Sequence, residues 1–390
     1  ELLIWLSRST IVTATMSDAE PDLLREVLDA VNAGDAACVK YLLDDNEALL
    51  DTRADGGLTL LHLAAMANDR EIVGLLLDWG ADTKAVDESG ETALFTASTF
   101  ADTLILEMLL EGGADIAARS INGESCLHMA ARGGRPWNID FLIQSGADLT
   151  WRDDDGATPL HAAARHGRLR AAQTLLSHGA DVCATDDEGE TPLFYVQYCL
   201  NGAVARALID AGAEVCRRNN YGETLIYSLA HGGHADCTNV SALDALINAG
   251  ADINARGSDG ETPIIGAAMS GRVEVIAYLI ARGACAADRV ESGLTSLHAG
   301  AGGHRSADVL KLLLTNGADP EAQTEAGDTA LHFAAACGNV GSIRVLLEHG
   351  AKVWTINAHG ERPIDAAARA GQSDAVAVLA DQGLKGDAHH

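Results

Sequence analysis

One phrase in this chain returns at almost fixed intervals, and that constrains its fold more than anything else. The Gly-Ala of Gly80-Ala81-Asp82 comes back at Gly113, Gly146, Gly179, Gly212, Gly250, Gly283, Gly317 and Gly350, followed by Asp except at Glu214, Cys285 and Lys352, with spacings of 33, 33, 33, 33, 38, 33, 34 and 33. A second phrase built on Gly-x-Thr-x-Leu keeps step with it, opening at Gly57, Gly90, Gly123, Gly156, Gly189, Gly222, Gly260, Gly293, Gly327 and Gly360. A chain of 390 residues would otherwise suggest two or three separate domains. A sustained short period points instead to an array of small units that have no core of their own.

Each unit reads mechanically. Thr158-Pro159 sets a capping hydroxyl and a φ-restricted ring at a helix start. Leu160, Ala163 and Ala164 give that helix a small apolar face, and Arg165-His166-Gly167 ends it. Leu169, Ala172, Leu175 and Leu176 follow helical spacing in a second helix, which Gly179 terminates. Residues 148–155 make an extended excursion to the polar tip Asp153-Asp154-Asp155-Gly156. A unit this small cannot bury its apolar face alone, so it must stack on its neighbours.

Thr158-Pro159-Leu160-His161-Ala162-Ala163, followed by Gly179-Ala180-Asp181, resembles the ankyrin repeat. Thr59-Leu60-Leu61-His62 and Thr329-Ala330-Leu331-His332 lose only the proline. The resemblance implies an all-α solenoid of stacked helix-turn-helix units with β-hairpin tips, forming a single ankyrin-repeat domain over 22–384. Within it, ten repeats occupy 54–384, and a degenerate helix pair over 22–53 caps the stack through Leu23, Leu24, Val27, Leu28 and Val31, then Val39, Leu42 and Leu43. Residues 1–21 read as an extension, with Met16 a candidate start and Trp5 in the apolar strip 2–6, and 385–390 as a tail. Three repeats replace the histidine with Phe95, Phe194 and Tyr227. The repeat at Gly189 lacks the inter-helix glycine, reading Gln197-Tyr198-Cys199-Leu200; the next carries five extra residues around 236–240.

Composition narrows the function. A formal charge of −29 argues against nucleic acid or an anionic membrane surface as the main partner. The apolar strip 2–6 is far too short to span a bilayer, which needs about 20 residues. Eight cysteines without a C-x-x-C pair read as free thiols in a reducing compartment, pointing to the cytoplasm with the nucleus as alternative. Cys183 and Cys216 lie one repeat apart, further than a disulfide can bridge.

Chemistry-bearing residues sort into three sets. The histidines His62, His128, His161, His298 and His332 read as structural, because ligands one repeat apart cannot converge on one metal ion. His231, His234 and Cys237 are the only local cluster of metal-type side chains; they carry the alternative reading, an enzyme or a small-molecule or metal-binding protein in the irregular repeats, with Tyr195 and Tyr198. Neither a cofactor nor a catalytic motif is otherwise recognisable. Position matters more than motif in this fold. Just before the tips stand Arg53, Arg119, Arg152, Arg218, Arg256 and Arg289, expected to pair with the acids Glu91, Glu124, Glu190, Glu223 and Glu261. At the ends of the first helices stand Arg132, Arg165, Tyr198, His231 and Met269, with His166 adjoining and Tyr221 at a tip. Arg and Tyr are favoured at binding hot spots. The expectation is therefore a non-catalytic, monomeric scaffold that docks a protein or peptide, of acidic character, on its concave face through Arg119, Arg132, Arg152, Arg165, His166, Tyr198, Arg218, Tyr221, His231 and Arg256. Asn254 also matches a hairpin asparagine that hydroxylases modify in similar repeats.

Overall fold

The computed structural model describes residues 21–232, 240–303 and 306–386. Trp5, His234, Cys237 and the extra residues through 239 lie outside that set. The chain gathers into two compact units, residues 1–187 and 188–390. In the first, helix pairs succeed one another: α1 (Pro21–Ala33) and α2 (Ala36–Asp45), α3 (Leu60–Met66) and α4 (Arg70–Asp78), α5 (Ala93–Phe100) and α6 (Thr103–Glu111), α7 (Cys126–Gly133) and α8 (Pro136–Gln144), α9 (Pro159–Arg165) and α10 (Leu169–Ser177). The second opens with a 3₁₀ helix, Phe194–Tyr198, and α11 (Gly202–Asp210). Four pairs follow: α12 (Leu225–His231) and α13 (Ser241–Asn248), α14 (Pro263–Met269) and α15 (Val273–Ala281), α16 (Ser296–Ala301) and α17 (Ser306–Thr315), α18 (Ala330–Ala336) and α19 (Val340–Glu348). The pair α20 (Pro363–Arg369) and α21 (Ser373–Gly386) closes it.

Within each unit, first helices stack on first helices. In the first unit α3, α5, α7 and α9 pack in succession, and α4, α6, α8 and α10 do likewise; in the second, α12, α14, α16, α18 and α20 form the corresponding row. Small side chains permit the close approach: Ala64, Ala65, Ala130, Ala131, Ala163 and Ala164 are fully buried. Second helices bury a branched stripe at helical spacing, as with Ile105, Leu106 and Leu109.

The recurring histidine explains itself. In α3 the Thr59 amide donates to His62 Nδ1 at 3.3 Å, and the Thr59 hydroxyl lies 2.7 Å from the same nitrogen. Nε2 then carries the proton and reaches the Glu91 carbonyl of the next repeat at 2.9 Å. The same arrangement holds at His128, His298 and His332. Each imidazole thus caps its own helix and ties two repeats together. In three repeats where Phe95, Tyr227 and Ile265 replace the histidine, the cap hydroxyl is orphaned: Thr92, Thr224 and Thr262 keep buried hydroxyls without a partner.

Two local features differ from the simple pattern. The expected β-hairpins shrink to single bridges, Arg53 with Thr59, Val86 with Thr92, Arg218 with Thr224 and Arg289 with Thr295. Side chains supply the rest of the turn: Asp87 accepts from the Ser89 and Glu91 amides, and Asn219 from those of Tyr221 and Glu223. In the repeat at Gly189 the first helix tightens to a 3₁₀ turn, and Leu200 takes the left-handed backbone (φ 53°) that Gly167 and Gly271 adopt in regular repeats. A leucine there carries strain that a glycine avoids.

Candidate interaction surface

The tip arginines act on backbone. Arg53 donates to its own Gly57 carbonyl at 2.7 Å and to that of Val86, one repeat on, at 2.6 Å. Arg256 spans Gly260 at 2.8 Å and Arg289 at 3.1 Å, and adds the Asp288 carboxylate at 3.0 Å. Arg119 holds the Gly123 carbonyl at 2.9 Å and that of Arg152, while its guanidinium stands 5.6 Å from the Trp151 ring centre. Arg152 takes the Gly156 carbonyl at 2.9 Å and that of Thr185, and Arg218 takes that of Gly222. In Arg53, Arg152 and Arg256 one guanidinium nitrogen serves both carbonyls, and in Arg256 this leaves the second nitrogen for the Asp288 carboxylate.

This corrects the expected pairing with the acids that follow the tips. Those acids find other partners. Glu124 takes Arg132 at 3.1 Å, eight residues on, and Glu361 takes Arg369 at 3.1 Å across the same separation. Glu223 accepts from the Ser228 hydroxyl at 3.4 Å, and Glu261 from that of Tyr227 at 2.7 Å. Glu190 is buried and accepts from the amides of Gln197 and Asn219, both at 3.2 Å. Burial, reinforced by repulsion from Asp87, pushes the Glu91 carboxyl up to about 7.

The residues at the ends of the first helices are more varied. In the first unit Arg132 is half-buried, bound to Glu124 and to Met129 Sδ, whereas Arg165 and His166 are exposed at the end of α9. In the second unit Tyr198 is half-buried, edge-on to Tyr195 with ring centres 5.6 Å apart. His231 stacks on Tyr227 at 5.8 Å, and Tyr221 is 59% exposed at its tip with its hydroxyl 3.5 Å from Glu188. Among the described residues no group of three or more His, Cys, Asp and Glu side chains is arranged to hold a metal ion, and no helix is long and apolar enough to cross a membrane.

Sequence reasoning missed a second set of arginines. Arg135 donates to the Thr99 and Phe100 carbonyls, both at 3.0 Å, and Arg168 to that of Arg132 at 2.9 Å. They neutralise the exposed carbonyls at the preceding first helix's C-terminus. Their own 33-residue spacing was the available signal.

A family model described as Ankyrin repeats (3 copies) matches residues 27–120, 105–186, 235–324 and 299–389. The chain belongs to the ankyrin-repeat family. The matched ankyrin segments leave out 187–234, the stretch that holds the 3₁₀ turn and the left-handed Leu200. A search of curated proteins finds no match.

Proposed function

We propose that this ankyrin-repeat protein is a non-catalytic, monomeric docking scaffold whose first-helix ends and tips hold a protein partner. One observation carries the reading: five first helices begin on the same histidine cap and bury small alanines on their packed side, while the residue closing the first helix changes from repeat to repeat. Arg132, Arg165, Tyr198, His231 and Met269 occupy that place in successive repeats. Ankyrin repeats generally mediate protein–protein contacts. A surface already ordered by stacking loses little entropy on binding, so its contacts convert well to affinity.

The arginines divide by role. Arg119, Arg152, Arg218 and Arg256 bond carbonyls and so shape the tips a partner meets, while Arg165, His166 and Tyr221 present exposed surface for contact. Cross-linking of the full chain in cells, read by mass spectrometry, tests this. Arg165→Ala with His166→Ala, both exposed at the end of α9, is expected to leave the melting temperature unchanged and to cut recovery of the cross-linked partner roughly tenfold, the usual loss from removing hot-spot side chains. Undiminished recovery removes these residues from the surface.

A further inference from the structure

In two repeats the chain displays, within itself, a carboxylate–guanidinium pair that the repeats at Gly222 and Gly260 lack. Glu124 and Glu361 stand directly after a tip glycine, and each holds a guanidinium from eight residues on, Arg132 and Arg369, at 3.1 Å. The repeats at Gly222 and Gly260 keep the carboxylate, as Glu223 and Glu261, but eight residues on they carry His231 and Met269. Among the described residues neither carboxylate joins an ion pair.

Both carboxylates are nevertheless held in place by neutral donors: the Ser228 hydroxyl on Glu223 at 3.4 Å and the Tyr227 hydroxyl on Glu261 at 2.7 Å. Each leaves one oxygen without a hydrogen bond from that donor. At the place that Arg132 and Arg369 take in their own repeats stand His231, half-buried and stacked on the buried Tyr227, and Met269, 39% exposed; the imidazole face and the thioether stem suit the plane and stem of an arginine. The floor is close-packed, since a Cβ on Gly266 would stand 3.1 Å from His231 Cβ and 3.2 Å from the Tyr227 ring. The cations nearest in the repeat pattern are committed elsewhere, with Arg218 on the Gly222 carbonyl and Arg256 on Gly260, Arg289 and Asp288.

From this we infer that α12 and α14, with Glu223 and Glu261, form a subsite for an extended peptide segment that supplies the two missing guanidinium groups. The subsite rests on the docking role proposed above and gives the partner a chemistry, cationic where the count of arginines alone suggested acidic. Neighbouring helices pack about 8–10 Å apart and an extended chain advances about 3.3 Å per residue, so the two arginines stand about three residues apart.

The probe is a labelled nonapeptide of alanine and glycine with two arginines at that spacing, titrated into the full chain and followed by fluorescence anisotropy. Saturable binding is expected below about 1 mM, the weak end of specific recognition. Lysine in place of arginine should weaken binding at least several-fold, because an ammonium lacks the planar face that lies flat on an aromatic ring while one nitrogen meets the carboxylate. Glutamate in its place should abolish it. Glu223→Gln with Glu261→Gln is expected to lower affinity about tenfold or more, as for a lost charged pair. Met269→Arg, which rebuilds the internal pair of Glu361 and Arg369, should compete with the probe while keeping the fold. Glu124→Gln, at an internally satisfied pair, should leave binding unchanged. Absence of saturable binding, equal binding of the lysine or glutamate peptide, or indifference to the Gln pair each overturns the subsite. Such a failure alongside continued recovery of a cross-linked partner sinks the arginine assignment alone; loss of every cross-linked partner sinks the docking role itself.

Discussion

At the scale of single residues, one imidazole decides how a repeat begins. Its Nδ1 accepts from the cap threonine and its Nε2 donates to the next repeat, so the ring is neutral and both nitrogens are satisfied. Removing the threonine hydroxyl therefore has opposite consequences in different repeats. Thr59→Val strips a partner from His62 and is expected to cost about 1–2 kcal/mol, whereas Thr262→Val removes a hydroxyl that is already buried and unpartnered. Thr262→Val should be neutral or stabilising, since Ile265 fills the histidine's place. Urea denaturation of the two variants decides the matter, and equal losses would refute the orphaned-hydroxyl account.

At the scale of the element, repeats are joined by side chains that reach across one period to backbone carbonyls. Arg256 is the fullest case, bonding two successive tips and a carboxylate. Its side chain is 49% exposed, so solvent screening reduces each contact, and the expected loss for Arg256→Ala is about 1 kcal/mol. Arg256→Lys should recover less than half of that loss, because one nitrogen of the guanidinium serves both carbonyls while the second holds Asp288, and a single ammonium cannot occupy both places. Recovery to the full stability of the parent in chemical denaturation would mean that charge, and not the fork, matters there. Arginines placed before tips read in sequence as partners of the acids that follow; the structure gives them the tip carbonyls of their own and the next repeat instead.

At the scale of the whole molecule, the buried histidines make stability depend on pH. Burial pulls His128 down from 6.5 to about 4 and lowers His62 and His298 as well. Below pH 6.5 the unfolded chain takes up protons that these folded imidazoles refuse, so stability falls as pH drops from 6.5 toward 4. Glu91 acts in the opposite sense: its carboxyl, raised to about 7, favours the folded state below pH 4.5, and that contribution is lost as pH rises through 7. Comparing the parent with His128→Gln isolates the first effect, since glutamine can still serve the cap but does not titrate. The stability advantage of the parent should shrink by about 2–3 kcal/mol between pH 7 and pH 4.5, from the shift at about 1.4 kcal/mol per unit. A constant difference across that range would show that His128 is not buried in its neutral form.

The period, the helix pairs, the capping threonines and the stacked alanines were all legible in the chain, because each is a local choice repeated until it cannot be chance. The histidines too were legible as structural, since their spacing forbids a shared ligand. The partners of long polar side chains were not. An arginine before a tip has an acid, a carbonyl or a ligand within the same reach, and only the placement of the next repeat settles which it takes. For the same reason Glu124 and Glu223 look alike in sequence, yet the structure separates them: one holds a guanidinium, and the other a serine hydroxyl.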